Sequence, residues 1–212
     1  MAISLRRYTD ITALIYLLTE RRITLLDPQT WDDRNDSHYL GLYRMRKKLK
    51  TVLALCFTRA SETYHHWRVF ANGPSGICIR FTQELLETAR KHPGICFGNV
   101  KYLTLKEMQD KEITVRDLPF LKRYAFGDER EFRIIYESEK KNVRKLDIPI
   151  SLFSIDRITL SPWLHPALSK PLQGFLASIP GCRYIRISRS SLISNERWKN
   201  FGESARKVSG GI

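Results

Sequence analysis

The sequence predicts an α+β fold, with a mixed, mostly antiparallel sheet and helices around it. Three observations point there. Short runs of apolar, β-branched and aromatic residues recur along the chain, separated by turn formers. Segments with helical apolar spacing fall between them, yet strands and helices do not alternate in a regular βαβ rhythm. No Gly-rich phosphate loop of the Rossmann or Walker kind is present.

The elements follow in order. "SLRRY" is a first short strand, and Thr9 or Asp10 caps a helix, "ITALIYLLTERR", whose apolar positions form one face. "ITLL" (23–26) is a strand and "DPQTWDDRND" a loop rich in turn formers. "HYLGLYRMRKKLK" is a basic amphipathic helix, and "TVLALCF" (51–57) an apolar strand central in a sheet. "SETYHHWRVFA" is a helix with Ser61 as cap, broken by "NGPSG", and "GICIRF" (76–81) alternates as a strand should. "TQELLETARKH" is a helix ended by Pro93-Gly94, and "ICFGNVKYL" is one strand with a bulge at Gly98. Short helices fill 104–123, and "EREFRIIYES" (129–138) is a strong strand. "LDIPI", "SIDRITLS" and "RYIRIS" are later strands, and "PALSKPLQGFLASI" is a helix interrupted by Pro171.

Composition bounds the function. The chain has 212 residues, 42% of them hydrophobic and 11% aromatic, enough for a sizeable core in a single domain, 1–208, with 209–212 as a disordered tail. The formal charge of +14 either serves solubility or attracts polyanions. The basic stretches 43–50 and 140–145 are the candidate contacts for nucleic acid. No run approaches the roughly 18 apolar residues of a membrane span, and "MAISLRRYTD" lacks a signal-peptide core, so no membrane partner and a cytoplasmic location are expected. The four cysteines are widely spaced in apolar runs and read as buried thiols. Nothing in the sequence sets an oligomeric state.

Three stretches carry candidate chemistry. "WDDRNDSHY" places Asp32, Asp33 and Asp36 on one loop. They can cap the following helix, orient an arginine, or bind a hard cation, although the spacing fails the EF-hand pattern and no metal site is predicted. In "YHHWR" either histidine could be a general base, or both could pack beside an aromatic face. In "DEREFRIIY", a strand would put Glu129, Glu131 and Arg133 on one side, with Phe132 and Ile134 on the other. Such a row is either a solvated sheet face or a fixed carboxylate that stabilises a developing oxocarbenium ion.

Taken together, "RRYTDITALIYLLTERRITLLDPQTWDDRND", "LALCFT", "HHWRVFANGPSGICIRF" and "FLKRYAFGDEREFRII" occur in an order that resembles a widespread bacterial and phage family. That family has a Tyr-Thr opening, an acidic Trp-Asp-Asp loop, a Cys-Phe-Ser/Thr strand, a Trp block and a Glu-x-Glu-Phe/Trp-Arg strand. The resemblance covers residues 6 to about 160, leaving 161–208 as a C-terminal annex. The layout also resembles the ADP-ribosyltransferase fold. The resemblance implies NAD as the bound nucleotide, Glu131 as catalytic carboxylate, and Arg7 and Tyr8 at the nicotinamide-ribose end with Thr9 beside them. It implies Thr58 in a hydroxyl position, Glu129 orienting an acceptor, and Trp67 and Arg68 in the Trp block. Asp33 and Asp36 would hold Arg7, Arg68 and Arg133 in one pocket. Arg34 and Phe70 depart from the family, which has proline and tyrosine there. The implied function is NAD processing or ADP-ribosyl transfer, on nucleic acid or in phage–host conflict. The alternatives are a non-catalytic nucleic-acid binder and a metal-dependent nuclease built on Asp32, Asp33, Asp36 and Glu131.

Overall fold

The computed structural model describes residues 4–71 and 73–205. The expected tail at 209–212 lies outside the described residues. The fold is α+β and its sheet is mostly antiparallel, as the sequence predicts.

β3 (Thr51–Thr58) is the organising strand. Apolar along nearly its whole length, it pairs over eight residues with β8 (Glu131–Ser138), and β8 carries β5 (Ile95–Asn99) on its far side. The other edge of β3 is shared. β2 (Arg22–Leu26) meets it at Ala54 and β1 (Leu5–Asp10) at Thr58, so two wings of the sheet diverge from one strand. One wing continues from β2 to β9 (Lys145–Pro149). The other runs from β1 through β4 (Gly76–Phe81) and β10 (Ile155–Leu160) to β11 (Arg186–Arg189), the last joined in parallel. A separate two-stranded parallel ribbon joins β6 (Lys101–Leu103) to β7 (Leu121–Arg123).

The helices cover the sheet by local rules. α1 (Ile11–Glu20) is capped by Asp10, whose carboxylate accepts from Ala13 N at 2.8 Å, and it buries Leu14, Leu17 and Leu18 in the main core. α2 (Arg34–Arg46) begins four residues before the sequence suggests, because Asp33 caps it, and stops where Lys48 turns left-handed at φ 55°. α3 (Tyr64–Phe70) is capped by Thr63 rather than Ser61. α4 (Glu84–Arg90) and the short α5 (Leu105–Gln109) flank the β5–β6 stretch. α6 (Pro166–Ser178) runs through Pro171 unbroken. The proline removes one bond to the Ala167 carbonyl, and the helix continues past it with Leu176 buried in the core. α7 (Glu196–Glu203) has no counterpart in the sequence reading.

"ICFGNVKYL" divides into β5 and β6 in different sheets, and Gly98 stays in register opposite Arg133 without a bulge. A Cβ there would come into van der Waals contact with the Phe120 ring at 3.4 Å, so the glycine leaves that ring room to pack. Gly94 is required twice over, since it sits at φ +83° and a Cβ would lie 2.4 Å from the Glu137 carbonyl oxygen. Gly94→Ala is therefore expected to cost more than about 1 kcal/mol in urea denaturation. Gly174→Ala, on the open face of α6, should be neutral or stabilising by up to about 1 kcal/mol. Equal effects at the two positions would contradict this reading of the turn.

Candidate functional site

Where β1, β3 and β8 adjoin, the antiparallel register sets Arg6 opposite Thr58 and Thr58 opposite Glu131. Residues paired this way share a face, so Arg6, Thr58 and Glu131 form a row across three strands. A cavity of about 500 Å³ opens over that row. Its acidic wall is Asp32, Asp33, Asp36, Glu129 and Glu131, and its cations are Arg6, Arg7 and Lys122. Tyr8, Trp31, Phe70 and Phe126 supply aromatic surface.

The floor is an ionic cluster. Arg133 is fully buried and binds two carboxylates at once. Its Nε and Nη2 donate to Glu131 at 2.7 and 2.9 Å, its Nη1 to Asp36 Oδ1 at 2.7 Å, and its Nη1 also to the Pro119 carbonyl at 3.0 Å. Trp31 covers the guanidinium, 5.3 Å from ring centroid to Cζ. Lys122 Nζ sits among the three carboxylates, 2.7 Å from Glu129, 3.5 Å from Glu131 and 3.7 Å from Asp36, with Phe126 4.7 Å away.

Three buried carboxylates thus face two cations, one charge short of balance, and the protonation states divide accordingly. Burial alone would raise the Glu131 carboxyl, but Arg133 and then Lys122 override it and hold it down to about 2. Burial dominates at Glu129 and raises its pKa, with Lys122 pulling only partly the other way. Burial likewise raises Asp36 against the pull of Arg133. Two neighbouring acids of opposite displacement are the pattern of an ionised carboxylate beside a proton-accepting one.

Glu129 reaches this site by a different route from the one its spacing implies. The strand begins at Glu131, and Glu129 ends a 3₁₀ turn (Tyr124–Glu129). Arg130, at φ 43°, turns the chain between them, and its carbonyl accepts from Arg59 N at 3.0 Å. The Glu129 carbonyl in turn accepts from the Thr58 hydroxyl at 2.5 Å. Glu131 N donates to the Tyr102 hydroxyl at 2.7 Å, which fixes the start of β8.

Of the residues singled out in the sequence, Glu131, Glu129, Arg7, Tyr8, Thr58, Asp33 and Asp36 line this one cavity. Arg133 lies directly beneath it. Asp36 grips Arg133, whereas Asp33 caps α2, accepting from Asn35 N at 3.0 Å. Arg7 donates to the Cys56 carbonyl at 3.1 Å rather than to an acid. Thr9, Trp67 and Arg68 stand away from the cavity lining. Thr9 is in register with Ile77; Trp67 is fully buried, with its Nε1 donating to Glu62 at 2.7 Å; and Arg68 stacks on Trp163 at 4.2 Å. His66 also lines the cavity, stacked on Tyr8 at 5.5 Å, and burial lowers its pKa so that the imidazole is neutral.

Arg6, Lys122 and Phe126 were not singled out. Arg6 could have been found from strand parity, since it shares a face with Tyr8. Lys122 and Phe126 carry no local signal. Tyr8 Oη and Asp33 Oδ2 belong to residues of the lining but are themselves buried, without a hydrogen-bond partner among the described residues. Among the described residues no helix is long and apolar enough to cross a membrane.

No protein-family model and no curated protein matches the sequence. Among solved structures, three of Thermus sp. 2.9 DarT are similar to this chain: in complex with NAD+, with carba-NAD+, and with ADP-ribosylated ssDNA. Each has a TM-score of 0.45. Sequence identities are 10%, 9% and 10%, over 89% of this chain and 95%, 95% and 94% of theirs.

Removing Arg133 would strand two buried carboxylates, so Arg133→Ala is expected to cost about 3–5 kcal/mol in urea denaturation. The pH dependence has a definite sign. Glu131 is depressed in the fold, so its contribution is present above the ordinary carboxylate range and lost as pH falls towards about 2. The stability gap between the wild type and Glu131→Gln should therefore narrow as pH drops from about 5 to about 3. A gap that widens would reverse the assignment.

Proposed function

We propose that this cavity binds NAD and breaks its nicotinamide–ribose bond, passing ADP-ribose to water or to an acceptor molecule. The observation that carries the reading is the pairing, on one wall, of an ionised carboxylate with a second one of raised pKa, beneath a cavity edged by arginines and aromatic rings. The motif order that resembles the ADP-ribosyltransferase layout supports the same reading.

The chemistry suits these residues. As the C1′–N bond breaks, its electron pair leaves with the nicotinamide nitrogen, and positive charge develops on the ribose. Glu131, kept ionised and locked by two bonds to Arg133, offers a preorganised negative field to that charge. Its Oε2 already accepts from both Arg133 and Lys122, so Oε1, which accepts from Arg133 Nε, is the oxygen with a lone pair left for a ribose hydroxyl. Glu129, with the higher pKa, is the better proton acceptor and takes the proton of the attacking water or acceptor. Arg6 and Arg7 suit a pyrophosphate.

The nuclease alternative asks Asp36 and Glu131 to hold a cation. Both are already paired with Arg133, and Lys122 lies between them, so a metal would have to displace two side-chain cations. Nucleic-acid binding fits alongside the enzyme reading. The end of α2 and the turn 140–145 come together, with Lys50 N donating to the Ser138 carbonyl and the Thr51 hydroxyl to the Lys141 carbonyl at 2.8 and 2.7 Å. They join two basic segments into one patch that suits phosphates.

Incubation with NAD should release nicotinamide, followed by chromatography, and Glu131→Gln should slow it by about 10²-fold or more. No release from the wild type, or equal release from the variant, would dispose of the proposal.

A further inference from the structure

A second recess of about 360 Å³ lies against the first and shares Asp33, Asp36 and Lys122 with it. We propose that it holds one unstacked base of a single-stranded nucleic acid, with the flanking phosphates on Arg34 and Arg123. Its role as the acceptor subsite rests on the NAD reading above; its role as a nucleotide site does not.

Chemistry on both sides of the recess favours that ligand. Leu103, Met108 and Leu121 provide apolar surface, with Tyr39 beside them and Leu105 69% exposed at the rim. Apolar and aromatic walls of this kind accept the flat face of a base. Arg34, from the first turn of α2, and Arg123, from the end of β7, bring two exposed guanidiniums to the same recess. Among the described residues, neither side chain has a hydrogen-bond or ion-pair partner, although most other cations near the site are engaged.

Position argues for this recess over the larger basic patch as the place where an acceptor is presented. The patch at 43–50 and 140–145 lies by Thr51 and Ser138, at the far end of β3 and β8 from Thr58 and Glu131. Seven residues of strand separate them, roughly 23 Å at about 3.3 Å per residue. The recess is one side chain, Lys122, away from both catalytic-wall glutamates. A base can enter it only when its face is free, and in a duplex that face is stacked; this selects single strands or extruded nucleotides.

The test uses the full chain, a labelled single-stranded oligonucleotide and fluorescence anisotropy without NAD. Arg34→Glu/Arg123→Glu should weaken binding by about tenfold or more, whereas Lys140→Glu/Lys141→Glu, an equal change in charge, should cost less than about threefold. Equal losses in the two pairs, or none in either, would overturn the proposal. An abasic strand of the same length should bind more weakly than the intact one, and Leu105→Asp, at an exposed position, should shrink that difference. Equal affinity of the wild type for intact and abasic strands, or for single strand and duplex, would also overturn it. Absence of NAD cleavage would remove the enzyme reading without altering these affinities. Cleavage of NAD with no discrimination among the oligonucleotides would remove the nucleotide recess alone.

Discussion

One buried guanidinium sets the terms for everything around it. Arg133 projects from β8 into a place where a charge is tolerable only if surrounded by acceptors, and it gathers Glu131 from its own strand, Asp36 from α2 and the Pro119 carbonyl from the 3₁₀ segment Val115–Phe120. Elements with no common sheet register are thereby held at fixed distances. Replacing such a cluster with apolar side chains need not destabilise a protein, so its presence here is better explained by what it positions than by what it stabilises.

The position it sets is that of a carboxylate. A glutamate on a strand can adopt several rotamers, and immobilising it costs conformational entropy at every encounter with a ligand. Glu131 has met that cost in the folded state through two bonds to one arginine. Its partner Glu129 is tied to Lys122 by one short contact, so the two acids differ in how they are held as well as in the direction their pKa values move. This asymmetry comes from backbone geometry: the left-handed Arg130 breaks the strand parity and lets both acids face one cavity from different elements.

Much of this was legible in the sequence, for physical reasons that vary by element. β3 announces itself because a strand buried on both faces requires a continuous apolar run, and β8 because its aromatic and β-branched residues alternate with charged ones at its start. The acidic loop, the Glu-x-Glu-x-Arg stretch and the opening Arg-Arg-Tyr were visible as charged or polar groups beside such runs, and all three meet at the cavity. What escaped is what depends on tertiary contact. Lys122 sits in a segment without periodicity, and only the fold brings it among three acids. Trp67 and Arg68 entered the site only through the resemblance of the Trp block, and one packs against Tyr8 and the other against Trp163. Pro171 was misleading because helix propensity is a weak prior that tertiary context overrides.

The distribution of charge adds a last step. The chain carries an excess of +14, but the cavity over Glu131 has more acids than the cations that pair with them. A uniformly basic surface would bind polyanions without preference and leave them anywhere. An acidic pocket inside a basic body repels the phosphate backbone from its floor while the surrounding field draws the polymer in. Under the proposed reading, Arg6 and Arg7 on one side of the Asp33–Lys122 wall and Arg34 and Arg123 on the other would hold the phosphates. Phosphates held there would leave the sugar or base facing the carboxylates, the orientation that chemistry at a glycosidic carbon requires.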